Sequence, residues 1–136
     1  MRTQPCTAAI RQGRLRKAEQ FLAAAELVRD LAEEDTDVAD AFATLCVHAG
    51  IAASDVICCI RLGEHAQGEN HSETIALLKT ADKTSVKHLS ALLALKTKSG
   101  YSHAPITPGE SKRAGRAAEA LVEAARRTSA SAGMNA

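Results

Sequence analysis

The sequence predicts an all-α fold, an up-and-down bundle of four to five helices, on three observations. Alanine and leucine dominate an apolar content of 46%, while aromatics are only 2%. That is the composition of close-packed helices, whereas a β-sandwich would need aromatic and β-branched strands. Apolar residues recur at spacings of three and four through several long stretches, the period of one helix face. Between these stretches stand residues that start and stop helices: Thr7, Asp35-Thr36, Gly63, Asn70, Asp82, Gly100 and Thr107-Pro108. Short connections between amphipathic helices make an antiparallel bundle.

Met1 to Cys6 reads as a frayed start, and Thr7 as the N-cap of a first helix over about residues 8–33. Its stripe is Ile10, Leu15, Ala18, Phe21, Leu22, Ala25, Val28 and Leu31. Arg11, Arg14, Arg16 and Lys17 crowd its first half, and Glu33-Glu34-Asp35 follow its end. That order opposes the helix dipole, so packing must carry the helix; the basic cluster itself reads as a solvated face. Asp35 or Thr36 is placed to cap a second helix, about 37–62, which stops at Gly63. It is apolar nearly all round, so it belongs at the centre. Gly50 in its middle costs about 1 kcal/mol against alanine, which a close helix crossing would explain. Residues 64–70 read as a polar loop. Asn70 and Glu73 form a capping box for a helix over about 71–80. Asp82 caps the next, about 83–98, which buries Val86, Leu89, Leu92, Leu93 and Leu95 and ends at Gly100. Thr107, Pro108 and Glu110 open the last, about 108–127. Residues 1–128 thus form one domain and 129–136 a disordered small-residue tail. No strand is predicted.

The net charge of +1 supplies no global field for polyanions, so any such binding rests on a local patch. No apolar run reads as a membrane span and no secretory signal is visible. Three of the four cysteines, Cys46, Cys58 and Cys59, fall in the apolar second helix, with Cys6 outside it. Buried, reduced thiols and a cytoplasmic location are the expectation.

Three clusters carry possible chemistry. His48 and Asp55 lie seven residues apart on one face of the second helix, either as a satisfied core pair or as a polar wall beside the site. A metal site is not expected. Cys46 and Cys58 are about 18 Å apart along a helix, too far for one ion. The loop set Glu64, His65, Glu69 and His71 lacks the helix-borne Glu-x-x-His pairs of di-iron bundles. No cofactor motif is present. The third cluster is the basic corner Lys96-Thr97-Lys98-Ser99-Gly100-Tyr101-Ser102-His103. Its lysines could simply cap a helix C-terminus. Alternatively, Lys98, Ser99, Tyr101 and His103 make a set that holds an oxyanion and moves a proton.

From Leu89 to Arg127 the chain runs as a leucine-rich helix, a cation, a short polar turn, and a capped alanine-rich last helix. In this it resembles the HEPN superfamily of small helical bundles. Members typically carry Arg, then a polar residue, then His four to six positions further on; Lys98-Ser99 with His103 matches that pattern with four residues between. The resemblance implies a homodimer whose motifs meet near the two-fold axis. It also implies metal-independent RNA cleavage in active members, with His103 in the acid/base role, Lys98 on the phosphate and Ser99 in support. Lys98 stands where the family prefers Arg, and a lysine offers no planar fork for bidentate phosphate binding.

Three readings follow. The first is a dimeric HEPN-like module that binds RNA or a nucleotide through Lys96, Lys98, Tyr101, His103 and Arg113, joined by Lys112 and Arg116, with little or no catalysis. The second is a metal-independent endoribonuclease using Lys98 and His103. The third is a structural protein whose apolar face meets a second protein partner.

Overall fold

The computed structural model describes residues 2–68 and 70–134, so Glu69 of the rejected metal set and the last two residues of the expected tail lie outside the described residues. Five α-helices follow one another among the described residues: α1 Ala8–Leu31, α2 Ala39–Leu62, α3 His71–Ala81, α4 Val86–Gly100 and α5 Pro108–Met134. The fold is an all-α helical bundle. Helix α2 packs against α1, α4 and α5 together, while α3 leans on α2 and α4.

Local chemistry explains most boundaries. Thr7 Oγ1 accepts the Ile10 N–H at 3.2 Å and opens α1. Gly63 closes α2 in the left-handed region, φ 76°, and its N–H donates to Cys59 O at 2.9 Å, a conformation that glycine adopts without Cβ strain. Asn70 Oδ1 accepts the Glu73 N–H at 3.0 Å and opens α3. The start of α2 departs from expectation. A 3-10 turn over Asp35–Val38 precedes it, closed by Asp37 N–H to Glu34 O at 3.0 Å, and neither Asp35 nor Thr36 supplies a side-chain cap. The nearby Asp40 carboxylate instead accepts the Ile106 N–H at 2.8 Å and so ties the entry to α5 onto α2. Asp82 caps a second 3-10 turn, Lys83–Ser85, accepting from Thr84 N–H at 3.1 Å and from Ser85 Oγ at 2.7 Å.

The expected frayed start and polar loop are corrected. Two short strands, β1 Thr3–Pro5 and β2 Glu64–Ala66, pair antiparallel with Gln4 opposite His65. Cys6 N–H donates to Gly63 O at 3.0 Å and Gln67 N–H to Arg2 O at 2.9 Å, so the ladder extends past both ends. Three-residue strands are too short to show a period in the sequence. A disulfide joins Cys6 to Cys59, with Cα atoms 5.5 Å apart. The expectation of four reduced thiols therefore holds only for Cys46 and Cys58, which are free and buried. Burial pushes both of these thiols up to about 12, so they stay protonated and unreactive.

The expected disordered tail is also corrected, because α5 continues to Met134. Arg126 Nε donates to Glu19 Oε2 at 3.0 Å and holds α5 on α1. Beyond it, Ser129 and Ala132 help line a cleft of about 420 Å³ against Arg11 and Leu15. Residues 130–133 are exposed, so these last turns continue α5 without being buried against α1.

The segment Asp35–Leu62 is long and apolar enough, by length and composition, to cross a membrane, contrary to the expectation that no such run exists. Its most apolar 18-residue window is 72% buried inside the bundle, so it is the core helix. The explanation for Gly50 holds: a Cβ there would collide with the buried Leu92 of α4 and lie 3.2 Å from Leu121 Cδ1 of α5.

Two stability outcomes follow. Gly50→Ala is expected to lose up to about 2 kcal/mol in urea unfolding, since an overpacking cost of about 1–3 kcal/mol at the crossing is offset in part by a gain of about 1 kcal/mol in helix propensity; a gain in stability would contradict the crossing. Reducing Cys6–Cys59, which spans 53 residues, is expected to cost up to about 4 kcal/mol through restored chain entropy, read as a lower urea midpoint with unchanged α-helical signal.

Candidate functional site

The corner at the end of α4 is fully helical up to Gly100, and Tyr101 N–H still donates to Thr97 O at 2.9 Å. Lys98 emerges on the side facing α5. Its ammonium donates to Glu110 Oε1 at 2.7 Å. The same oxygen accepts the Thr107 N–H at 2.9 Å, and Thr107 Oγ1 accepts the Glu110 N–H at 3.2 Å. The expected capping box is therefore complete, and Lys98 is its third member. The hydrogen bond from Lys98, followed by that from the Thr107 backbone, holds the Glu110 carboxyl down at about 2.

The other expected corner residues are dispersed. Ser99 Oγ donates to Lys96 O at 3.3 Å and so caps its own helix. Tyr101 is 82% exposed. His103 and Arg113 are also exposed. Among the described residues no hydrogen bond or ion pair joins Lys98 to His103. The corner thus presents a ring and cations outward while its central lysine is neutralised.

His48 and Asp55 are not partners, contrary to the expected core pair. His48 is exposed on α2, its ring 5.4 Å from that of Phe21. Asp55 is 8% exposed. Arg14 of α1 meets it with two nitrogens, Nε and Nη2, each 2.9 Å from Oδ2. His65 Nδ1 stands 3.9 Å from Oδ1 and 3.0 Å from Ala66 O. Burial pushes the Asp55 carboxyl up, opposed by the charges of Arg14 and His65. The pair satisfies a buried carboxylate that would otherwise be costly.

This trio opens onto a cavity of about 320 Å³ whose wall also includes Ile51, Gly68 and Thr74. A second cavity, about 210 Å³, shares those three residues and adds His48, His71 and Lys96. The two are lobes of one groove between α1, α2, the β2–α3 connection and α4. From sequence alone, Arg14 falls in a solvated cluster and His71 is weighed only as a metal ligand. A usable signal was present. Arg14 lies four residues from both Ile10 and Ala18 on the core stripe of α1, where a cation needs a buried carboxylate. Among the described residues, no group of three or more His, Cys, Asp or Glu is disposed to hold a metal ion.

A scan against protein-family models finds no match, and a search of curated proteins finds no significant relative. The fold and site define a helical bundle with an outward basic corner and a separate polar groove.

The depressed Glu110 acid contributes stability in full above the ordinary carboxylate range, and that contribution is lost as pH falls through about 2. Its side-chain carbon resonance is expected to titrate near 2 and to move up toward 4.5 in Lys98→Met. A wild-type midpoint already at 4.5 would mean the clasp does not form in solution.

Proposed function

We propose that the chain is a dimeric HEPN-like module that binds RNA or a nucleotide at the corner and cleaves it weakly or not at all. The observation that carries the choice of binding over cleavage is the 2.7 Å ion pair between Lys98 and Glu110. A phosphate-steadying cation must be available to the substrate, and this one is spent on the α5 cap. Tyr101 and His103 remain exposed, with Arg113 and Lys112 at the start of α5. An exposed aromatic ring beside cations suits an unpaired base and its phosphate. Lys96, expected with this set, lines the separate groove instead.

Leu27 is 59% exposed and Leu31 is 77% exposed, one helical turn apart on α1. Such a pair supports contact with another protein surface, and we assign that contact to a second copy of the chain. We place the protein in the cytoplasm, where two buried free thiols are ordinary and where Cys6 and Cys59 would be held reduced.

Fluorescence anisotropy with a labelled single-stranded oligoribonucleotide in EDTA tests the reading, with light scattering for the dimer. The wild type is expected to bind and leave the RNA intact. Tyr101→Ala should lose about 1–3 kcal/mol of binding if a base stacks there, and His103→Ala should weaken binding further. Cleavage by the wild type that disappears in His103→Ala would favour the endoribonuclease reading. Absence of any binding would remove both and leave a structural partner protein.

A further inference from the structure

We propose that the groove lined by Arg14, His65, His71 and Lys96 is a second site, separate from the corner and independent of the RNA-binding reading, that takes the phosphate group of a small phosphate ester. The donors come from four separate parts of the fold, so the fold had to assemble them. Arg14 comes from α1, His65 from β2, His71 from the start of α3 and Lys96 from α4.

Each group is prepared by its surroundings. The Asp55 pair uses Nε and Nη2 of Arg14 and leaves Nη1 for another acceptor. Asp55 thereby holds the guanidinium at the cavity without blocking all of it. In His65, Nδ1 lies 3.0 Å from the Ala66 carbonyl oxygen, which can only accept. That contact holds a proton on Nδ1 and leaves Nε2 to meet the ligand, which it does as a donor in the imidazolium form. The ring is held further by the ladder, since His65 stands opposite Gln4 in the two-stranded sheet. Gly68 lines both lobes with φ 105°, a backbone conformation that side chains rarely adopt.

The ligand class follows from geometry and size. Donors arriving from several elements suit a tetrahedral oxyanion with three terminal oxygens better than a planar carboxylate with two. The larger lobe, about 320 Å³, lies at the lower end of the roughly 300–1,000 Å³ typical of small-molecule sites. A sugar phosphate fits that scale, its phosphate where the two lobes meet at Ile51, Gly68 and Thr74, between Arg14 and His65 on one side and His71 and Lys96 on the other.

The test uses the full chain, isotope-labelled, with ribose 5-phosphate as probe, ribose and inorganic phosphate as comparisons, and amide and imidazole resonances as readout. Ribose 5-phosphate is expected to give saturable shifts at His65, Gly68, His71 and Lys96, and ribose none. Inorganic phosphate should shift the same resonances more weakly. Lys96→Gln and His71→Gln, both on partly exposed positions outside the core, should each weaken binding at least tenfold with an unchanged melting profile, whereas Lys79→Gln on the outer side of α3 should not. The proposal is overturned if ribose 5-phosphate gives no saturable shift, if the shifts gather at Tyr101 to His103 instead, or if both groove variants bind like the wild type. Because RNA binding is read at the corner with a different probe, either site can fail without the other.

Discussion

The constraint on which the structure depends is that α2 has almost no face left for water. Helices α1, α4 and α5 cover it, and even its glycine is used for a crossing with Leu92 and Leu121. Everything polar on α2 must therefore find a partner inside the bundle or at its edge. Asp55 is the severe case. Its carboxylate is buried within an apolar run, and it draws Arg14 from α1 and His65 from β2. A need created by packing thus assembles a polar groove, and the packing of a core and the placing of a site become one event.

The two candidate sites differ in how they are held. At the corner the backbone is fixed by the capping box of α5, and Lys98 is drawn into that box by Glu110. What remains, Tyr101 and His103, is presented outward on a rigid turn. That arrangement suits contact with a large flexible ligand. The groove is concave, its walls come from distant parts of the chain, and β2 is fastened through the ladder to β1. A groove so built suits a small ligand.

The helices were legible because their signals are local. Thr7, Gly63, Asn70 and the Thr107–Glu110 box act on neighbours within four residues, and each does what the sequence implies. The exposure of Tyr101 and His103 also agrees with a polar, glycine-broken corner. The sequence misled where partners are distant. Cys6 finds Cys59 across 53 residues, and Arg14 finds Asp55 across 41. Periodicity names neither partner, although the place of Arg14 on the core stripe of α1 shows that it needs one. The tail misread the other way: Ser129 to Met134 looks too small to order itself, yet α5 continues through it as exposed helical turns. His48 shows the limit of face arguments, since seven residues put it on the face of Asp55 but on the wet side of the bundle's edge.

The most direct measurement of the central claim is the titration of the Asp55 carboxyl carbon by nuclear magnetic resonance. Burial inside α2 should place its midpoint above the ordinary 3.8, and Arg14→Met should raise it further by removing the opposing charge. A midpoint at or below 3.8, unmoved in Arg14→Met, would mean that the carboxylate is solvated and that no buried demand holds the groove together.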